Sequence, residues 1–210
     1  KELSKKIFIK NNILTPKYLK FSYRNNINKL KLINNLQKKI GFPLVVKPLN
    51  EGSSVNVFIC NKNNILKTLT KLNEYGEVLL EKYIPGREIQ VAILENKVLG
   101  AIELRPTRKF YDYQAKYNPK ARTEHIIPVE ISKRKYQELT KIALKAHKIL
   151  NCRGVTRSDF RYYKNSFYLL ETNTQPGMTS LSLVPEIANF NNITFKNLIK
   201  KILKDASINK

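Results

Sequence analysis

The sequence predicts an α+β protein of two lobes, and three observations predict it. Helix-period stretches alternate with β-like runs through the first part of the chain. At Pro85-Gly86 the grammar changes to long strands joined by tight turns. Further on, two β-like runs carry polar residues two apart, Arg157 and Asp159 on one, Glu171 and Asn173 on the other. The expected boundaries are 1–84 for the smaller lobe and 85–210 for the larger.

Taken in order, residues 2–10 have a short helical pattern, and Thr15-Pro16 turns into an extended piece from Tyr18 to Phe21. Ile27, Leu30, Ile33, Leu36 and Ile40 recur every three to four residues, a helix that Gly41 and Pro43 stop. Leu44 to Pro48 is a buried strand ended by proline. After the polar loop Leu49 to Ser54 come a strand from Val55 to Cys60, a helix carrying Ile65, Leu66, Leu69 and Leu72, and a strand from Glu77 to Tyr83. Strands from Arg87 to Leu94 and Lys97 to Leu104 meet at Glu95-Asn96. The aromatic-rich excursion from Pro106 to His125 is too long for a simple connection and is a candidate lid. Ser132 caps a helix whose inner face is Tyr136, Leu139, Ala143, Ala146 and Leu150. A hairpin, a Pro-Gly loop and helices near 182–190 and 195–204 complete the chain.

With 210 residues and 42% hydrophobic content, the chain can bury a core unaided. Lys and Arg number 39 against 16 acids, a net charge of +23. The lysines are scattered, with no basic arm and no nucleic-acid motif, so no specific nucleic-acid partner is expected. Weak nonspecific RNA binding at low salt is expected all the same. Cys60 and Cys152 lie far apart without a His cluster, which points to neither a disulfide framework nor zinc. His147 falls in a helical pattern as a flank residue, and neither it nor His125 reads as catalytic. No stretch approaches membrane-spanning length and residues 1–6 begin no secretory signal, so the expected compartment is the cytoplasm. The chain starts without Met, which is read as something upstream lying outside it.

The paired polar residues carry the most chemistry. Side chains two apart point to one face of a strand. A hairpin centred on Asn165 would set Asp159 opposite Glu171 and Arg157 opposite Asn173 on one face. That alignment needs an odd loop such as Lys164-Asn165-Ser166; a two-residue Lys164-Asn165 turn would slip the register, and a bulge would restore it. Facing carboxylates repel unless a cation or a raised pKa relieves them. A hard ion such as Mg²⁺ takes carboxylate and amide oxygens. The same spacing also fits a surface hairpin with cross-strand charge pairs.

Three further segments fit a nucleotide. Gly52, in Glu51-Gly52-Ser53-Ser54 after the Lys47 strand, gives a small-residue loop whose amides can approach phosphate, although surface turns use the same residues. Glu81 to Ile84 before the seam and Glu88 after it suit a linker that reads a base by its backbone and a sugar by a carboxylate; a plain connection would look alike. Phe110 to Tyr117 is unusually aromatic for a loop and needs something to pack on, as a closing lid or as a permanent cover.

Together these words resemble the ATP-grasp superfamily, and within it the D-alanine:D-alanine ligases. They are Leu44-Val45-Val46-Lys47-Pro48, Glu51-Gly52-Ser53-Ser54-Val55, Glu81-Lys82-Tyr83-Ile84-Pro85-Gly86-Arg87-Glu88, Phe110-Tyr111-Asp112-Tyr113-Gln114-Ala115-Lys116-Tyr117, Thr156-Arg157-Ser158-Asp159 and Glu171-Thr172-Asn173-Thr174-Gln175-Pro176-Gly177-Met178-Thr179, in that order along nearly the whole chain. The resemblance implies an ATP-grasp fold with the nucleotide in the cleft between two α+β lobes. It implies Asp159, Glu171 and Asn173 as ligands of two Mg²⁺ ions (Mn²⁺ serving as a substitute), with Glu171 bridging. Lys47, Lys116 and Lys1 would contact ATP phosphates, Lys1 through the pattern Lys1-Glu2-Leu3-Ser4-Lys5, with Ser53 and Ser54 in the loop over them. Glu81 would read the adenine amino group, Lys82, Tyr83 and Ile84 would line the base, and Glu88 would hold the ribose. Arg157 and the N–H of Gly177 match the oxyanion site, and Ser182 and Leu183 the positions that hold the second D-alanine's carboxylate.

The implied reaction is ATP-dependent joining of two D-alanines through an acyl phosphate, for peptidoglycan precursors. Family members commonly pair as homodimers. They also carry an N-terminal domain whose glutamate positions the first D-alanine and bonds to the serine and lid tyrosine matched by Ser53 and Tyr117. No counterpart of that domain is read in residues 1–210, so the expectation is weak Mg-ATP binding and poor ligation by the chain alone. Other readings fit parts of the sequence: another ATP-grasp carboxylate–amine ligase; a depsipeptide-forming variant, against which Tyr117 argues; a basic nucleic-acid binder; and an inactive remnant.

Overall fold

The computed structural model describes residues 1–23, 28–52, 55–106, 123–179 and 181–206. The expectations for Ser53, Ser54, Lys116, Tyr117 and the aromatic segment 110–117 fall outside the described residues. The chain divides into two compact units: the first holds Lys1–Leu3 and Pro16–Ile84, the second Ser4–Thr15, Pro85–Arg105 and Thr123–Lys210.

In the first unit, strands β1 (Tyr18–Ser22), β2 (Leu44–Pro48), β3 (Phe58–Cys60) and β4 (Glu77–Lys82) form an antiparallel sheet in the order β1-β4-β2-β3. Helices α2 (Lys29–Lys39) and α3 (Ile65–Lys71) supply Leu32, Leu36, Ile65 and Leu69 to a core shared with Leu44, Val46, Val78 and Leu80 of one sheet face. Asn28 starts α2 by accepting the N–H groups of Leu30 and Lys31 at 2.9 and 3.3 Å. Gly41, at φ +77°, ends it by donating its N–H to the Leu36 carbonyl. The strand expected from Val55 to Cys60 is only three residues long. Val55 donates its N–H to the Gly52 carbonyl and Asn56 takes a left-handed φ of 52°, so pairing starts only at Phe58.

The second unit is a five-stranded sheet in the order β7-β6-β5-β8-β9, from β5 (Arg87–Leu94), β6 (Lys97–Pro106), β7 (Thr123–Ile126), β8 (Val155–Tyr163) and β9 (Ser166–Asn173). β7 lies where the sequence suggested only a lid. Glu95 and Asn96 both have positive φ, 49° and 61°, the geometry of a two-residue hairpin turn. One face is covered by α4 (Lys133–Ile149), whose Leu139, Ala143 and Ala146 pack on Ile89, Val91, Phe160 and Leu169. Helix α1 (Glu2–Lys10) sends Phe8 into this core, so residues 4–15 belong with the second unit although they precede the first in sequence.

The other face meets α5 (Leu183–Phe190), which is followed by α6 (Phe195–Asp205). At Gly100 a Cβ would lie 2.7 Å from Ile187 Cγ2, so glycine there lets α5 approach the sheet closely. His147 is not a flank residue. It is fully buried, with Nδ1 2.8 Å from Thr156 Oγ1, because the residue after Ala146 still faces β8. Burial, with Lys148 nearby, pushes its pKa below the ordinary value.

Candidate functional site

The hairpin β8–β9 turns through two residues, Lys164 and Asn165, both at positive φ (45° and 61°). From this turn Tyr163 pairs with Ser166, Tyr162 with Phe167 and Phe160 with Leu169; the register then shifts, and Asp159 faces Glu171 while Arg157 faces Asn173. Leu170 is the extra residue, a β-bulge. Without it, every side chain beyond Leu169 would sit on the other face. The short turn and the bulge therefore give the arrangement that an odd loop would have given alone.

The face so formed is polar. Glu88, Gln90 and Ala92 of β5 lie opposite Arg161, Asp159 and Arg157 of β8, and the 2.8 Å ion pair from Arg161 Nη2 to Glu88 Oε2 shows that these rows share one side. A second nitrogen of Arg161 donates to the Gly86 carbonyl at 3.0 Å. Gly86 itself has φ +100°, and a Cβ there would stand 2.3 Å from the Tyr162 carbonyl oxygen, so this corner requires glycine. Arg157 grips Asp159 with two hydrogen bonds, Nε to Oδ1 at 2.8 Å and Nη2 to Oδ2 at 3.0 Å. The Glu171 carboxylate has no hydrogen bond or ion pair among the described residues, and the residue is half-buried.

Asn173 Oδ1 accepts the Gln175 N–H at 3.0 Å and keeps a second lone pair. Beyond it the Pro-Gly loop folds tightly, since a Cβ on Gly177 would lie 2.8 Å from Ser182 Oγ. Ser182 precedes α5 but does not cap it: its Oγ accepts the Thr179 N–H at 2.9 Å and lies 2.9 Å from Thr179 Oγ1. Leu183, the first residue of α5, is buried.

Could these side chains hold a divalent cation? Among the described residues no group of three His, Cys, Asp or Glu is placed to do so. Asp159, Glu171 and Asn173 are a set of another composition, two carboxylates and an amide on one face, all of them oxygen donors that suit a hard ion. The residues fit Mg²⁺.

In the first unit, Lys47 lies two positions beyond Val45, the β2 residue opposite Glu81 of β4. The two buried side chains form a 2.7 Å ion pair, Lys47 Nζ to Glu81 Oε2, on the sheet face away from the core. Lys1 Nζ donates to the carbonyls of Leu49, at 3.1 Å, and Glu51, in the loop that leaves β2. Lys82 turns its ammonium to the Phe42 carbonyl at 2.8 Å, and the N–H groups of Lys82 and Tyr83 bond to the carbonyls of Lys17 and Pro43. Tyr83 and Ile84 follow β4 as irregular chain up to the division between the units.

Two residues on the polar face were not singled out from sequence, Gln90 and Arg161. Their signal was available: Arg87-Glu88-Ile89-Gln90-Val91 alternates polar and apolar as the β8 run does, and Arg161 continues the row of Arg157 and Asp159. His125 sits on β7 with Nδ1 2.7 Å from Glu186 Oε2 of α5.

Known proteins give this face a context. The family model described as the D-ala D-ala ligase C-terminus matches residues 7–204. The chain is 63% identical over 210 residues to the D-alanine–D-alanine ligase of Pelagibacter ubique, covering 100% of this chain and 68% of that protein. A crystal structure of the Bacillus anthracis D-alanine–D-alanine ligase superposes with a TM-score of 0.84 at 35% identity, covering 98% of this chain and 66% of that one. A second, of the Bacillus anthracis ligase complexed with ATP, gives a TM-score of 0.79 at 30% identity over 98% and 64%. The chain thus spans about two thirds of the length of these relatives. The match to the family model runs from α1 into the last helix, across both sheets, and on that ground the chain belongs to the D-alanine–D-alanine ligase family.

Proposed function

We propose that this chain provides the ATP-, metal- and oxyanion-binding groups for ATP-dependent joining of two D-alanines, in the cytoplasm, for cell-wall peptidoglycan precursors. One observation carries the reading: in a chain of this family, a bulge turns Glu171 toward Asp159 and leaves its carboxylate with no bond among the described residues. Two facing carboxylates are stable together when a cation lies between them. Asp159, Glu171 and Asn173 are the proposed ligands of two Mg²⁺ ions, with Mn²⁺ as substitute, and the bound ions would offset charge on the transferred phosphoryl group.

The remaining roles follow the chemistry of each side chain. Lys47 and Lys1 are the proposed phosphate contacts in the first unit, with Ser53, Ser54 and Lys116 assigned from the sequence alone. Glu81 is proposed to read the adenine amino group, the segment Lys82, Tyr83 and Ile84 to line the base, and Glu88, held in place by Arg161, to bind the ribose. A D-alanine carboxylate oxygen attacks the γ-phosphorus and ADP leaves, giving an acyl phosphate; the amine of the second D-alanine then displaces phosphate and loses a proton. Arg157 and the Gly177 N–H would stabilise the oxyanion that develops, each such donor supplying about 3 kcal/mol. Ser182 and Leu183 are the proposed anchor for the second substrate's carboxylate, and Tyr117 is proposed to order the lid that excludes water from the acyl phosphate. Pairing as a homodimer is proposed from the resemblance alone.

The test uses Mn²⁺-dependent binding of ATP to the 210-residue chain, followed by calorimetry, and phosphate release measured with malachite green in the presence of D-alanine. Asp159→Ala and Glu171→Ala are expected to weaken metal-dependent nucleotide binding at least tenfold and to abolish phosphate release. Nucleotide binding that is indifferent to both substitutions and to the metal would refute the assignment.

A further inference from the structure

Gln90 has no part in the reactions just described, yet it is the most anomalous side chain on the polar face. It is 0% exposed, and neither Oε1 nor Nε2 has a hydrogen-bond partner among the described residues. Buried amides are almost always bonded, and an unbonded one destabilises the state in which it is found. On its own face, Ala92 of β5 and Ile102, directly opposite on β6, are apolar and equally buried, so an aliphatic residue would fit the packing. An amide kept there is expected to find its partner in another state of the site.

The register says which partner. Gln90 lies directly opposite Asp159, which lies directly opposite Glu171, so the three stand in one row across three strands. The Glu88–Arg161 pair, one step along the same face, fixes the side to which the row points. Directly opposed residues have Cβ atoms about 4.5–5.5 Å apart, within reach of a glutamine amide. Glu88 is engaged with Arg161, and Ile102, opposite Gln90 on β6, is apolar. Asp159 meanwhile has both oxygens bonded to Arg157.

Resting on the metal reading above, we propose that Gln90 is a positioning residue for Asp159: its Nε2 donates to the carboxylate once Arg157 lets go of it to serve the oxyanion. Arg157 and Gln90 differ in what they leave behind. An arginine on Asp159 cancels the negative charge that a divalent cation needs. A neutral amide holds the same carboxylate in place and leaves its charge intact. The amide has one orientation open to it, because Oε1 toward a carboxylate would be repelled.

The experiment compares Mn²⁺ binding by the full chain and by Gln90→Met, which keeps the length and loses the donor. Free Mn²⁺ is followed by electron paramagnetic resonance with a non-hydrolysable ATP analogue present. Loss of a hydrogen bond to a metal-binding group typically weakens the metal by about 10–100-fold. At least tenfold weaker Mn²⁺ binding is expected, with a metal-free melting temperature equal to or above that of the parent chain. A purely structural amide would instead lower the melting temperature and leave Mn²⁺ affinity alone, and that result overturns the proposal. On the unsubstituted chain, Mg²⁺ with the analogue should shift the Gln90 side-chain amide resonances; resonances that do not move overturn it as well. A parent chain that binds no Mn²⁺ would overturn both this proposal and the metal reading, whereas equal binding by parent and Gln90→Met overturns this one alone.

Discussion

His147 shows how much a single side chain depends on its neighbours. Sequence places it on α4 one residue past the inner-face Ala146, and a helix stripe wider than the strict pattern takes it into the interior. There Nδ1 meets Thr156 and Nε2 has no partner among the described residues. Burial, aided by the charge of Lys148, lowers its pKa from the ordinary 6.5. The unfolded chain therefore binds a proton at a higher pH than the folded chain does, and stability falls as pH drops below about 6.5. Melting temperature should be level above that point and decline below it, before the carboxylate range begins. His147→Gln, which cannot titrate, should flatten the decline between about pH 6.5 and 5; an unchanged slope in a thermal-melt series would show that His147 does not carry it. Glu103 titrates in the opposite setting. Burial raises its carboxyl, but hydrogen bonds from Arg87 and Arg105 outweigh burial and leave it below the ordinary range. What it contributes is therefore present at neutral pH and is lost only in acid.

At the scale of elements, strand and helix periods and the turn pairs Glu95-Asn96 and Lys164-Asn165 were legible, because each follows from local backbone preference. What the residues could not decide was the route to the polar face. Lys164-Asn165 as a two-residue turn and a bulge at Leu170 are correlated choices, and the bulge is fixed by packing. Phe167 and Leu169 face the α4 core while Glu171 must face away, so one residue has to be left over. The three-residue β3 and the strand β7 were misjudged for a related reason, since pairing partners far along the chain decide where a strand begins. Deleting Leu170 tests the bulge directly. The turn and the Phe167–Phe160 packing should survive, while Glu171 and Asn173 change faces. The deletion variant should keep its far-ultraviolet circular dichroism and lose Mn²⁺-dependent nucleotide binding by at least tenfold. Retention of that binding with one residue fewer would mean that the bulge does not set the donor face.

At the scale of the whole molecule, the net charge of +23 makes a competing claim on function. Scattered lysines attract any polyanion by releasing its counterions, and that attraction weakens steeply with salt. Binding to single-stranded RNA is thus expected at about 50 mM salt and should fall by orders of magnitude at about 200 mM. Removing one carboxylate changes the net charge by a single unit in an excess of 23, so Asp159→Ala and Glu171→Ala should leave RNA retention essentially unchanged. ATP is also a polyanion, and part of its affinity will share the salt dependence. The part that depends on divalent metal will not, because it arises between carboxylates a few ångströms apart on a sheet face, well inside the screening length of about 8–10 Å. Filter binding of RNA and calorimetry of Mn²⁺-ATP over the same salt series separate the two. RNA binding should depend on salt and ignore both acids, while metal-dependent ATP binding should persist in salt and vanish with either acid. If both ligands follow salt alone, the basic surface is the whole of the activity and the facing carboxylates are a surface feature.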